Sequence, residues 1–263
     1  MATRSALINV MTRAADKAAR GLRRDFGEVE QLQVSVKGPG NFVSTADHRA
    51  EKTIRQELTR ARPGYGFLME ESGASAGTDP EHRWIVDPLD GTTNFLHGVP
   101  HFCISIGLER AGEIIAGVVF DPIKDELFWA EKGQGAYLND RRIRVSSRRQ
   151  LNTALIATGT PYGMTSKRKE YLRQLDAVMA KVAAVRRFGA AALDLAYVAA
   201  GRYDGFWEFG LSPWDVAAGL LLVREAGGYA TDPQDAGDPL VTGNVLAAND
   251  HLHPPLHSVL TPD

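Results

Sequence analysis

The chain has 263 residues, 44% of them hydrophobic and 24% charged, with a formal charge of −2 and a pI near 6.4. That length supports a large core or two adjoining ones. The basic spots "RRDF", "DRRIRVSSRR" and "VRRF" are short, which argues against direct nucleic-acid binding through phosphate neutralisation. The single cysteine, Cys103, excludes an intrachain disulfide and a cysteine-rich zinc site, and points to a reducing compartment.

Residues 3–26 read as an amphipathic helix, with Ala6, Leu7, Val10, Met11, Ala14, Ala18 and Leu22 on one side and no apolar core of signal-peptide length. No run approaches the ~18 apolar residues of a membrane span, so a cytoplasmic protein is expected. The stretch "EQLQVSVKGPGNFVSTAD" has glycine and proline at its centre and reads as a mobile loop. A helix follows over about 46–60. "YGFLMEE" and "HRWIVD" read as strands ending in acids. Residues 101–145 read as a meander of short strands broken by Gly, Asp-Pro and Asn-Asp turns. From "SSRRQLNTALIATG" onward strands and helices alternate. The expected division is an antiparallel-rich α+β lobe, 1–147, carrying most of the candidate ligands, and an α/β lobe, 148–263.

Four acids stand out: Glu70, Asp87, Asp90 and Asp215. Glu70 follows "GFLM" and Asp87 follows "WIV", so both can project from strand ends. Asp90 lies three residues after Asp87, across a bend that Pro88 helps to set. Clustered carboxylates with no cysteine set suit a hard cation such as Mg²⁺ or Mn²⁺ better than zinc. The same "DPLDG" also makes a good turn with no ligand at all. "GTTNF" adds to the metal reading: Gly91 permits close backbone approach, and Thr92 begins a possible helix whose N–H groups suit an anion. Two acids carry rival readings. "SPWD" is a capping pattern for Asp215, and "STAD" one for Asp47. Glu70 and its neighbour Glu71 would point to opposite faces of a strand, and the residues alone do not choose between them. His97 and His101, Cys103 and the four tryptophans read as turn or core residues rather than ligands.

Taken together and in order, "VKGPGNFVSTAD", "MEESG", "WIVDPLDGTTNFLHGVPHFCISIGL", "RRFGAAALDLAYVAAGRYDGFWE" and "PWDVAAGLLLVREAGG" closely resemble the inositol monophosphatase family, within the lithium-sensitive, Mg²⁺-dependent phosphatases, and its bacterial SuhB-type members above all. The resemblance covers nearly the whole chain. It implies a layered α–β–α–β–α sandwich of the inositol monophosphatase/fructose-1,6-bisphosphatase type. It implies that Glu70, Asp87 and the Leu89 carbonyl hold one Mg²⁺, and that Asp87, Asp90 and Asp215 hold a second, with a third, looser ion near Glu70. Thr92 and Asp47, with Glu70, would position or deprotonate the attacking water. Gly91 and Thr92 would bind phosphate, while Gly189, Ala191, Glu208 and Asp90 would meet the polyol. Lys37, Glu71 and Arg187 are supporting candidates, with Glu70 preferred over Glu71 as ligand. A homodimer is the family pattern.

The implied reaction is hydrolysis of a small phosphate monoester, myo-inositol monophosphate first. Rivals with the same chemistry are fructose-1,6-bisphosphate, histidinol phosphate, NADP and 3′-phosphoadenosine 5′-phosphate. Thr93 and Asn94 after "DGT" favour the inositol type by resemblance. A rival of another class is an antitermination role with the transcription machinery, docking through the Arg-rich turn at 141–149.

Overall fold

The computed structural model describes residues 4–28, the backbone of 34–38 and 41–43, and residues 44–161 and 167–261. Helix α1 (Ala6–Phe26) starts at Ser5, whose Oγ accepts the Ile8 N–H at 3.1 Å. It buries Ile8, Met11, Leu22 and four alanines, small residues that let its partner helix come close. Within the stretch read as a loop, the described residues include two antiparallel strands, β1 (Val34–Gly38) and β2 (Asn41–Ser44), paired as a hairpin. Val34, Val36, Phe42 and Val43 are strand formers on either side of the Gly-Pro-Gly punctuation, which is a hairpin pattern.

Then come α2 (Thr45–Ala61), β3 (Gly66–Met69), β4 (Gly73–Ser75), β5 (His82–Asp90) and the single turn α3 (Thr92–Leu96). The meander follows as β6 (Cys103–Arg110), β7 (Glu113–Asp121), β8 (Glu126–Glu131), β9 (Gly135–Leu138) and β10 (Arg141–Ile143). These strands make one sheet in the order β10-β9-β8-β7-β6-β5-β3-β4, antiparallel except where β3 runs parallel to β5. The remaining elements are β11 (Leu155–Thr158), α4 (Lys167–Met179), β12 (Ala184–Arg186), α5 (Ala191–Ala199), β13 (Gly205–Glu208), α6 (Pro213–Glu225), β14 (Tyr229–Thr231), α7 (Pro239–Thr242), β15 (Val245–Ala248) and α8 (His253–Leu260). A second sheet runs β12-β11-β13-β15-β14, parallel through β13 and antiparallel beyond it.

Five layers result. Helices α1 and α2 cover one face of the large sheet, where Ile54 and Leu58 meet Trp84 and Val86. Helices α5 and α6 fill the space between the two sheets, and α4 and α8 cover the outside of the second. Every residue of α5 is buried, and so is the run Val216–Val223 of α6. A helix between two sheets has no solvent face, so these two show no amphipathic period. Close approach of α6 to the large sheet depends on Gly117: a Cβ there would stand 2.9 Å from Ala218 Cα. The layers thus bring the ends of β3 and β5 against the first turns of α2, α3, α5 and α6. No helix of the described residues is long and apolar enough to cross a membrane.

Candidate active site

The bend "DPLD" is not a separate turn. It is the last part of β5, and it contains a bulge. Asp87 pairs with Ser105 and Asp90 with Cys103 across β6, so three steps on β5 match two on β6. Residues three apart on a regular strand face opposite sides. The extra residue resets the alternation, and Asp87 and Asp90 come to the same face, toward α5 and α6. Gly91 follows with φ of 93°, a left-handed conformation, and a Cβ there would meet His101 O at 3.1 Å. That conformation turns the chain directly into α3.

The carboxylates are each tied down by one oxygen. Asp87 Oδ1 accepts the Leu89 N–H at 2.8 Å. Asp90 Oδ2 accepts the Ala192 N–H from the start of α5 at 2.7 Å, with the Cys103 thiol 3.7 Å away. Asp215 Oδ2 accepts the Ser212 N–H at 2.7 Å and so caps α6. Capping does not compete with a role in the cleft, because the second oxygens of Asp87 and Asp215 receive no hydrogen bond among the described residues. Asp47 shows the same division of labour. Its Oδ2 accepts Ser44 N at 2.9 Å and Ser44 Oγ at 2.6 Å, completing a capping box, while its Oδ1 accepts Thr92 Oγ1 at 3.1 Å. Thr92 Oγ1 also lies 3.1 Å from Leu89 O.

The electrostatics are those of crowded negative charge. Asp87 and Asp90 are buried and Asp215 half-buried, and among the described residues none of the three forms an ion pair. Burial holds the Asp87 carboxyl well above its usual range, and the charges of Glu70, Asp90 and Asp215 push it further. Burial likewise raises Asp215 strongly, followed by the charge of Asp90. Asp90 is pushed up to about 6, again mainly by burial. Burial raises Asp47 as well, against the pull of its Ser44 and Thr92 hydrogen bonds. Buried carboxylates that repel one another and lack a basic partner suit a multivalent cation with oxygen ligands. As they stand, the described His, Cys, Asp and Glu side chains include no group of three already closed on a single point.

Glu70 does not sit on a strand. It opens the turn between β3 and β4, pinned by its own N–H to Val86 O at 3.1 Å, the residue before Asp87. The opposite-faces argument for Glu70 and Glu71 therefore does not apply. Across the cleft, Glu208 ends β13 and is pushed up to about 8, chiefly by burial, with Arg187 opposing the rise and Asp90 adding to it. Gly159 makes room for Glu208, because a Cβ there would fall 1.8 Å from Glu208 Oε1. Gly189 and Ala191 flank the N-terminus of α5, beside the Ala192 N–H that holds Asp90. Asn94 links the two sides by donating to His101 O at 2.8 Å and Phe188 O at 2.7 Å. The Lys37 side chain lies outside the described residues. His101 is buried and pushed down to about 4 by desolvation, which agrees with a packing role.

A model of the inositol monophosphatase family matches residues 3–261. The chain belongs to the inositol monophosphatase family. An inositol-1-monophosphatase of Rhizobium meliloti is 59% identical over 257 residues, covering 98% of this chain and 97% of that protein. The Nus factor SuhB of Escherichia coli K12 is 43% identical over 243 residues, covering 92% and 91%. Among solved structures, the extragenic suppressor protein SuhB of Bartonella henselae superposes with a TM-score of 0.95 at 57% identity, over 98% of this chain and 99% of that one. The Thermotoga maritima inositol monophosphatase gives 0.88 at 32% identity, over 97% of each.

Membership in the inositol monophosphatase family fits the layered fold and the order of the motifs. Sequence reasoning missed Ala192, Cys103 and Asn94 as partners of these residues. Cys103 had a readable signal, since it opens the next strand after the acid pair. The Ala192 and Asn94 contacts join segments about a hundred residues apart and left no local trace.

Proposed function

We propose that this chain is a Mg²⁺-dependent phosphatase that hydrolyses a myo-inositol monophosphate to inositol and phosphate. The observation that carries this reading is the bulge in β5, which turns Asp87 and Asp90 to one face, against Asp215 and Glu70 and beside the Asp47–Thr92 pair. Glu70, Asp87 and Leu89 O are the proposed holders of one cation, and Asp87, Asp90 and Asp215 of a second. A third, looser ion near Glu70 fits the same reading, and Mn²⁺ suits the same oxygen donors. Divalent cations bound there supply neutralisation of the phosphate and a lowered pKa for water.

The chain's own groups do the rest. Thr92 Oγ1 stands between Asp47 Oδ1 and Leu89 O, in position to orient the attacking water. Asp47, with its carboxyl raised by burial, is the better acceptor for the proton that leaves through Thr92. Glu70 flanks the same water. The N–H groups of Gly91 and Thr92 face the phosphate at the mouth of α3. Glu208, Gly189, Ala191 and Asp90 receive the polyol hydroxyls, and Arg187 balances Glu208. The site lies between lobes that we place at 1–147 and 148–263, in a cytoplasmic homodimer.

The test is a phosphate-release panel with Mg²⁺: inositol-1-phosphate, fructose-1,6-bisphosphate, histidinol phosphate, NADP and 3′-phosphoadenosine 5′-phosphate. Preference for inositol-1-phosphate is expected, and preference for any of the other four would overturn the substrate. Relatives named Nus factor SuhB, at 42–43% identity, favour a second reading as a partner of the transcription machinery. In that reading the exposed Arg141 and Arg142, which lie on β10 rather than in a turn, form the docking surface with Arg144 and Arg149. Retention of transcription factors by a catalytically inactive variant, and their loss when these arginines are replaced, would support it.

A further inference from the structure

Helix α2 faces the site with more than Asp47. Glu51, one turn further on, is buried at 6% exposure. Its Oε2 accepts the Glu71 N–H at 2.9 Å, and the Ser72 N–H lies 3.4 Å from the same oxygen. These are the N–H groups directly after Glu70. On its other side, Glu70 is held by its own N–H to Val86 O at 3.1 Å. Arg55, a further turn along α2, reaches Ser72 Oγ at 3.0 Å and Ser75 Oγ at 3.2 Å, with its guanidinium over the Phe67 ring at 4.7 Å. So one face of one helix grips Thr92 through Asp47, the Glu70 turn through Glu51, and Ser72 of the same turn with Ser75 of β4 through Arg55.

We propose that Glu51 is a positioning residue for the metal centre: by gripping the Glu71 and Ser72 N–H groups, it sets where Glu70 stands relative to Asp87 and the Asp47–Thr92 pair. The turn that carries Glu70 is three residues long, Glu70 to Ser72, between two short strands. Without a buried acceptor, two N–H groups of this turn would lose their partner and the turn would relax toward solvent. Displacing a carboxylate of the cation site by even a small distance weakens the site, because Mg²⁺ demands near-ideal octahedral geometry. Residues that orient metal ligands have measurable effects on affinity for this reason. The proposal rests on the reading of Glu70 as a ligand.

The test separates reach from charge. Glu51→Gln keeps the reach and one acceptor oxygen. Glu51→Asp keeps the charge but withdraws the acceptor by one methylene. Arg55→Ala loosens the same turn without touching the Glu71 or Ser72 N–H groups. Metal affinity is read directly, by titration of Mn²⁺ followed by electron paramagnetic resonance, together with kcat, KM and thermal unfolding in chelator. Glu51→Asp is expected to weaken Mn²⁺ binding about 10- to 100-fold, and Glu51→Gln less than about tenfold. Arg55→Ala is expected to lower the Tm with Mn²⁺ binding unchanged. Equal Mn²⁺ affinity in Glu51→Asp and wild type would overturn the proposal. So would a loss in Glu51→Gln as large as that in Glu51→Asp, or a loss in Arg55→Ala that tracks its fall in Tm. Glu70→Gln is measured in parallel. If it binds Mn²⁺ as wild type does, the ligand reading itself fails and the proposal falls with it. If it binds weakly while Glu51→Asp binds normally, only the role of Glu51 is refuted.

Discussion

Replacing Asp90 by Asn should stabilise the metal-free protein while abolishing most of its turnover. Asp90 is buried at 9% exposure, and its carboxyl rises from an ordinary 3.8 to about 6, mainly through burial and partly through the charge of Glu70. A rise of that size corresponds to roughly 3 kcal/mol between the two protonation states. The sign follows from the raised folded value. The favourable contribution is complete below the unfolded pKa and disappears as pH climbs through about 6, so at pH 7.5 the metal-free fold carries the full penalty. Asn removes the charge and keeps an oxygen for the Ala192 N–H, so the backbone contact that ties β5 to α5 survives. In EDTA at pH 7.5, Asp90→Asn should therefore melt higher by up to about 10 °C for a chain of this size. At pH 4 the gain should vanish. Phosphate release with Mg²⁺ should fall by orders of magnitude in the same variant. A lower Tm in EDTA at pH 7.5 would refute the claim of uncompensated buried charge. A soluble variant with wild-type turnover would refute the ligand role.

Thr92→Val removes the hydroxyl between Asp47 and Leu89 and should lower kcat about 100-fold with KM little changed; equal losses in kcat and Mn²⁺ binding would point to a structural role instead. Glu208, pushed up to about 8, should make the metal-free protein lose stability as pH rises from 5 to 8, and Glu208→Gln should flatten that part of the Tm–pH profile. Gly159→Ala places a Cβ 1.8 Å from Glu208 Oε1, so Glu208 must move; KM for the polyol phosphate should rise while Mn²⁺ affinity holds. Gly117→Ala forces α6 off the large sheet, since the Cβ would meet backbone at 2.9 Å, and should cost about 1–3 kcal/mol in denaturant unfolding.

Much of this architecture was legible in the residues because the physical signals were local. Amphipathic α1, the turn-punctuated meander and the alternation after residue 150 each follow from periodicity and turn chemistry. The hairpin at β1–β2 left a local signal, Val34, Val36, Phe42 and Val43 on either side of Gly-Pro-Gly, and reading the glycines and proline alone as a loop passes over it. The site divides in the same way. Asp87 and Asp90 could be named from "DPLDG", but their spacing of three points them to opposite faces of a regular strand. Only pairing with Ser105 and Cys103 shows the bulge that brings them to one face. Asp47 and Asp215 each carried rival capping and functional readings. The capping reading holds for both, and it leaves room for the functional one, since a carboxylate has two oxygens and a cap needs one. The Ala192 N–H on Asp90 and the Asn94 bridge to Phe188 depend on chain crossing between the two sheets, which no local pattern encodes.

The most direct test of the central claim is phosphate release from inositol-1-phosphate by wild type and Asp87→Asn, each with Mg²⁺ and with excess EDTA. Asp87 is the acid that the other three carboxylates surround, so its loss should remove turnover without removing the fold. Release by wild type with Mg²⁺ alone, and by Asp87→Asn in neither condition, is the predicted result. Release that persists in EDTA, or in a folded Asp87→Asn protein, would contradict the account.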